Sequence, residues 1–287
     1  MNTTDTEKRT KFNRTYYRIL DTALKLFDER GERNVGLNHI AEALRISSGN
    51  LHYHFKNKDE IILHLNRKFQ KDLFQCFLSV IDQLPMTGDK LYLLLKNITH
   101  IMWKYRSLLL DNHSLIARHP DLLKEYSQFL NKDLLPILSI FLMHSEKANL
   151  MTIQGEGDDQ STKIFAESLY IVTKYWFDFE FTLKGKLSSI SSCFRCAQYI
   201  MILMRPFVHK PILSEHDRVI ALLRADEIKS IQGSHKESQE ITGNHRKSQE
   251  ITGNHRKSQE ITGNHRKSQE ITGNHRKSQE ITGKFNE

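Results

Sequence analysis

Apolar positions recur along this chain with the period of a helix, and the sharpest example lies between Val35 and Lys58, VGLNHIAEALRISSGNLHYHFKNK. Leu37, Ile40, Ala41 and Leu44 fall at i, i+3, i+4 and i+7, one buried face of a helix of about two turns. Arg45 and Ile46 make a turn. Ser47 and Ser48 then offer hydroxyls to the unpaired amides of a second short helix, whose buried face is Leu51 and Phe55. Burying those two leaves Asn50, His52, Tyr53 and His54 partly outward, with Lys56 and Lys58 at the end. Upstream, Tyr16, Ile19, Leu20, Ala23 and Phe27 predict a helix closed by Gly31 as a left-handed C-cap. Downstream, Asn57 and Glu60 form a capping-box pattern that opens a long helix through Ile61, Leu65, Phe69 and Leu73. Three short helices feeding a connector have the shape of a DNA-reading helix-turn-helix, in which the second helix of the pair enters the major groove.

The rest reads as helix too. Leu91, Leu94, Leu95, Ile98, Ile101 and Met102 make a stripe after Pro85 and Gly88, and Leu122 to Leu142 makes another, interrupted by Pro136. Phe165 to Leu183, Ile190 to Phe207, and a short run through Val219, Leu222, Leu223 and Ile228 predict three more. GEGDDQS, Gly155 to Ser161, has nothing to bury and reads as a mobile loop. No alternating strand pattern competes. From Ser234 the unit SHKESQEITG is followed by four identical copies of NHRKSQEITG and then KFNE. With Ile as the only large apolar side chain and a helix-breaking Gly in each unit, this array reads as a disordered tail; a β-solenoid is the rival, with too small a core.

Order, spacing and residue types in ILDTALKLFDERG (Ile19 to Gly31), HIAEAL (His39 to Leu44) and ISSGNLHYHFKNKDEI (Ile46 to Ile61) resemble the tetracycline-repressor (TetR/AcrR) family of bacterial transcriptional regulators. The resemblance covers about the first quarter of the chain. It implies an all-α protein, with a three-helix DNA-binding domain over residues 12–72 and a helical ligand-binding and dimerisation domain over 73–232, ahead of the repeat tail read above over 233–287. Carried over, Asn38 sits by the DNA backbone, Ser48, Gly49, Asn50, His52, Tyr53 and His54 form the recognition helix with Lys56 at its end, and Lys58 holds a phosphate. The chain departs from the pattern at Arg45, where the family often has Gly and positive φ would strain a side chain. It departs again at His52, commonly Tyr, and at Val35 and Gly36, which replace a Thr-rich lead-in.

Charge follows the same division. Residues 1–58 hold 11 Lys/Arg against 7 Asp/Glu, residues 59–233 hold 21 against 20, and residues 234–287 hold 10 against 7. The excess sits in head and tail, where phosphates would be met, although charge alone is equally compatible with a solvated basic surface. A chain of 287 residues with 38% hydrophobic content can fill a core, and no apolar run approaches the ~20 residues of a membrane span. The polar start MNTTDTEKRTKF lacks a secretory h-region, so a cytoplasmic location is expected. Cys76, Cys193 and Cys196 read as reduced thiols; Cys193 and Cys196 have C-x-x-C spacing but lack partners for a zinc site. No metal, cofactor or catalytic constellation is expected.

By resemblance the middle region encloses a small-molecule pocket and dimerises through its last two long helices. YIVTKYWFDFEF, Tyr170 to Phe181, is aromatic enough to bury more than one face, against its own core and a partner, or else inside one thick monomeric core. Trp103, Tyr105, Arg106, His113, Tyr126, Trp176 and Phe179 are the candidates to line the pocket, with plain core as their alternative. The expected function is a homodimeric repressor released from a palindromic operator by a small-molecule effector. The alternatives are a nonspecific or architectural nucleic-acid binder using its basic head and tail, and an all-helical enzyme with a DNA-binding head.

Overall fold

The computed structural model describes residues 3–81, 86–110, 112–153, 159–185 and 189–234, with side chains from residue 13 on except at residues 81 and 159. Residues through 230 belong to one compact unit. The repeats beyond Ser234 lie outside the described residues, as do residues 155–158 of the expected loop.

Helix α1 (Thr3–Arg30) buries Ile19, Leu20, Ala23 and Phe27 almost completely. It stops at Gly31, whose amide donates to the Phe27 carbonyl at 2.9 Å. The expected left-handed cap is right in φ, +78°, but ψ is 142°, an extended mirror region that glycine reaches without a Cβ clash. A 3-10 turn (Glu32–Asn34) leads to α2 (Leu37–Leu44), then α3 (Ser48–His54) and the connector α4 (Lys58–Ile81). Asn57 Oδ1 accepts the Glu60 amide at 2.9 Å as expected, but Glu60 Oε2 reaches the Lys56 amide, at 2.7 Å, instead of the cap residue's own.

The body comprises α5 (Gly88–Lys104), α6 (Arg106–Leu110), α7 (Asn112–Arg118), α8 (Pro120–Phe129), α9 (Leu135–Lys147), α10 (Asp159–Lys184), α11 (Ser191–Met204) and α12, over residues 213–230 within the compact unit. Three differences from the sequence reading have local causes. Pro136 does not break its helix: a π-helical stretch, Leu130–Leu134, closed by a bond from the Leu135 amide to the Leu130 carbonyl, widens the turn that the proline ring would otherwise clash with. Helix α10 begins at Asp159, inside the segment read as loop, with Asp159, Gln160 and Ser161 in its polar first turn. The expected helix to Phe207 ends at Met204, and Arg205–Phe207 tightens into a 3-10 turn. Among the described residues no strand forms; Met151 and Val208 make one isolated antiparallel bridge. A single apolar cluster runs from Ile19 on α1 through Phe55, Leu65 and Leu94 to Ile137 on α9, so head and body share a core. No helix among the described residues is long and apolar enough to cross a membrane.

Candidate nucleic-acid interface and cavities

Helix α2 ends in a two-bond reversal: the Ile46 amide donates to the Ala41 carbonyl and the Arg45 amide to the Glu42 carbonyl, each at 3.0 Å. That closure puts Arg45 at φ 54°, ψ 45°, the left-handed conformation its departure from glycine makes costly. Ser47 then caps α3, its Oγ accepting the Asn50 amide at 3.1 Å. Leu51 and Phe55 face inward, and Phe55 stacks on Tyr16 with ring centroids 5.2 Å apart. Tyr16 in turn hydrogen-bonds His64 Nδ1 at 2.8 Å, so α3 is clamped between α1 and α4.

Fixing that inner face leaves Ser48, Gly49, Asn50 and His52 exposed, and Tyr53 is 75% exposed. A Cβ at Gly49 would meet nothing within 4 Å, so the start of α3 is open surface. Asn38 on α2 and Lys56 after α3 are exposed as well. His54 is half-buried, its ring 5.4 Å from that of Tyr53, and burial lowers its pKa, favouring the neutral imidazole.

Lys58 is placed otherwise than expected for a phosphate ligand. Its ammonium, on a side chain 23% exposed, lies 2.7 Å from Glu32 Oε1 and donates to the Glu32 carbonyl at 3.1 Å. Glu32, its side chain 1% exposed, also receives Arg118 of α7 at 2.8 Å. Burial alone would raise the Glu32 pKa, yet the hydrogen bonds from Lys58 and Arg118 outweigh it and hold the carboxyl below its usual range. The reason is long-range: the lysine answers a buried carboxylate 26 residues upstream. Further ties join head to body. Arg106 meets Asp28 at 3.0 Å, Arg33 donates to Ser114, and the connector's Asp72 receives Lys104 at 3.0 Å and Tyr105 Oη at 2.8 Å.

Two of the cavities in the body bear on the expected pocket residues. One, about 130 Å³, is walled by α4, α5, α9, α10 and α11 with side chains such as Phe77, Leu94, Ile98, Met102, Leu138 and Ile200. The other, about 220 Å³, lies among α6, α7, α8 and α10 and is lined by Asn112, His113, Tyr126, Tyr170, Lys174 and Asp178 with apolar neighbours. His113 and Tyr126 thus come together. Trp103, Arg106, Trp176 and Phe179 reach neither cavity. Arg106 lies over the Trp103 ring at 4.1 Å and is held by Asp28; Trp176 is core, its Nε1 donating to the Ser192 carbonyl at 2.7 Å; Phe179 is at the surface, 45% exposed. Tyr105 is buried against Phe69. Sequence reasoning missed Lys174, whose signal was a lysine within an aromatic run. Cys193 and Cys196 are buried free thiols whose pKa values burial pushes up.

Comparison with known proteins agrees with this geometry. The family described as bacterial regulatory proteins, tetR family, matches residues 19–65, and that described as bacterial transcriptional repressor, TetR, matches residues 68–215. The chain is 43% identical over 56 residues to an HTH-type transcriptional regulator of Staphylococcus aureus (strain bovine RF122 / ET3-1), a match covering 20% of this chain and 29% of that relative. Among solved structures, a TetR-family transcriptional regulator from Marinobacter aquaeolei VT8 is similar with a TM-score of 0.63 and 26% identity over 74% of this chain and 98% of that one. SmeT, the repressor of the Stenotrophomonas maltophilia multidrug efflux pump SmeDEF, shares the fold at a TM-score of 0.51 and 17% identity, covering 68% of this chain and 91% of its own.

Proposed function

The chain belongs to the tetR family of bacterial regulatory proteins, and from that premise we propose that it is a cytoplasmic homodimeric repressor that a small-molecule effector releases from a palindromic operator. The DNA-reading head is residues 12–72 and the effector-binding and dimerising body residues 73–232. The observation that carries the reading is the outward face of α3: Ser48, Gly49, Asn50, His52 and Tyr53 stand exposed on a helix whose Leu51 and Phe55 are locked in the core. Such a face can meet base edges and phosphates without any change in the fold. Asn38 and Lys56 flank it as backbone contacts. Lys58 would reach a phosphate only by leaving Glu32.

An exposed apolar surface on α10 and α11 supports the dimer. Ile171, Tyr175 and Phe179 are exposed at four-residue spacing on α10, and Tyr199, Ile202 and Leu203 are exposed on α11. The strips adjoin, because Trp176 lies 5.5 Å from the Phe179 ring and 5.0 Å from that of Tyr199. Large apolar side chains gathered this way mark an interface, and a two-fold partner would set two α3 helices about one DNA turn apart. An effector acts if it prefers a dimer whose heads are wrongly spaced. The ties from α6 and α7 to Asp28 and Glu32 give body movement a route to the head.

Fluorescence anisotropy with labelled fragments of the protein's own promoter region, against shuffled fragments at two salt concentrations, tests the reading. We expect a preference of about a thousandfold or more. Equal binding that collapses with salt overturns it in favour of a nonspecific nucleic-acid binder.

A further inference from the structure

The two cavities narrow the chemistry of the effector. The wall of the first is hydrocarbon apart from a few groups already engaged or inert. Thr99 Oγ1 donates to the Leu95 carbonyl at 2.6 Å and Thr173 Oγ1 to the Leu169 carbonyl at 2.9 Å, so both hydroxyls serve their own helices. Burial keeps the Cys193 and Cys196 thiols protonated. A space of about 130 Å³ with this lining resembles the dry apolar cavities that take up a benzene-sized body.

The second cavity holds a cation with no carboxylate in ion-pair contact among the described residues, although Asp178 shares its wall. Lys174 Nζ donates to Asn112 Oδ1 and lies 4.7 Å from the centroid of the Tyr126 ring. Among the described residues no carboxylate oxygen comes within ion-pair distance of it; Asp178, one turn along α10, is exposed and acts only from a distance. Desolvation lowers the lysine's pKa to about 8. The two spaces adjoin. Tyr170 lines both, its Oη 3.2 Å from that of Tyr126, and Thr173 of the apolar wall directly precedes Lys174.

We propose that this site takes a small amphiphilic monoanion, with its hydrocarbon body in the apolar cavity and its carboxylate on Lys174. The proposal rests on the effector-binding reading above. An ammonium partly stripped of water and facing a neutral amide and a ring gains more from a carboxylate than from any neutral head, while a cationic head is repelled. The hydrocarbon end is selected by the first cavity, which offers no free polar partner. Tyr170 is the partition such a ligand displaces on entering.

Isothermal titration of the full chain without DNA, using octanoate, 1-octanol and acetate, tests the assignment. Octanoate should bind one per chain, about tenfold to a hundredfold more tightly than 1-octanol, the margin of a charge-assisted hydrogen bond. Acetate should bind far more weakly, since each buried methylene is worth about fourfold. Lys174→Met should bring octanoate down to the level of 1-octanol or below it and change 1-octanol far less, while Lys174→Arg keeps the preference. Equal affinity for octanoate and 1-octanol in the unaltered protein, undiminished octanoate binding in Lys174→Met, or no octanoate binding at all overturns the site. The operator assay separates the two readings. Octanoate that binds without weakening operator affinity overturns effector release and leaves the site standing; sequence-specific DNA binding without octanoate binding does the reverse.

Discussion

Arg45 holds a conformation, φ 54° and ψ 45°, that glycine adopts without a Cβ clash. The left-handed region costs a side-chain-bearing residue about 1–2 kcal/mol, and glycine returns roughly half of that through its freer unfolded chain. Arg45→Gly should therefore raise stability by up to about 1 kcal/mol in urea unfolding; a lower midpoint would mean that Arg45 makes a compensating contact. Two other head residues should separate reading from folding. Tyr53, three-quarters exposed, can be removed without opening the core, so Tyr53→Ala should weaken operator binding by about 1–3 kcal/mol at unchanged melting temperature. Lys58→Met should lower stability itself, by about 2 kcal/mol, because it strips a partner from the buried Glu32 carboxylate. Loss of DNA binding with an unaltered melt would count against that inward role. The exposed set on α3 was legible in the sequence, since burying Leu51 and Phe55 fixes which residues remain outside. The destination of Lys58 was not, because periodicity describes neighbours along one helix and Glu32 belongs to another turn of chain.

At the scale of elements, the long amphipathic helices and the short pair α2 and α3 were legible, whereas α6 and α7 were not. Helices α6 and α7, of five and seven residues, are too brief for a repeating apolar stripe to declare itself. They nevertheless carry Arg106, Ser114 and Arg118, which tie the body to Asp28, Arg33 and Glu32 of the head. The cavity walls were equally hidden: which aromatic residue lines a space depends on how neighbouring helices are rotated about their axes, and Pro136 changes that rotation through the π-helical turn before it. The Arg118 tie should transmit more than it stabilises. Arg118→Met should cost about 1–2 kcal/mol, less than a fully buried pair, since the arginine is itself two-fifths exposed. Operator affinity without effector should stay within about threefold, a shift of under 1 kcal/mol, while the drop caused by a bound effector shrinks. An undiminished effector response would show that coupling runs through the connector α4 instead.

Whether head and body act as a regulator depends on the whole molecule being two-fold. One head contacts a single half-site, and the operator affinity of a dimer comes from two heads held at a fixed spacing. The exposed strips on α10 and α11 are the surface available for that, since each side chain in them stands about half outside the core of the single chain. A charge there should consequently divide association from folding. Phe179→Asp or Ile202→Asp places an unpaired carboxylate in the middle of the strip, where burial against a partner would carry a penalty of several kcal/mol. In sedimentation velocity at micromolar concentration either variant should run as a monomer, with near-native helical content by circular dichroism. Its operator affinity should fall by a hundredfold or more, the usual loss when a linked second site is removed. Octanoate binding should survive, because both cavities are lined within one chain. If the charged variants instead remained dimeric, the interface would lie on another face; if they unfolded, the aromatic run Tyr170 to Phe181 would belong to a thick monomeric core, the one arrangement in which these exposures have no partner to explain them.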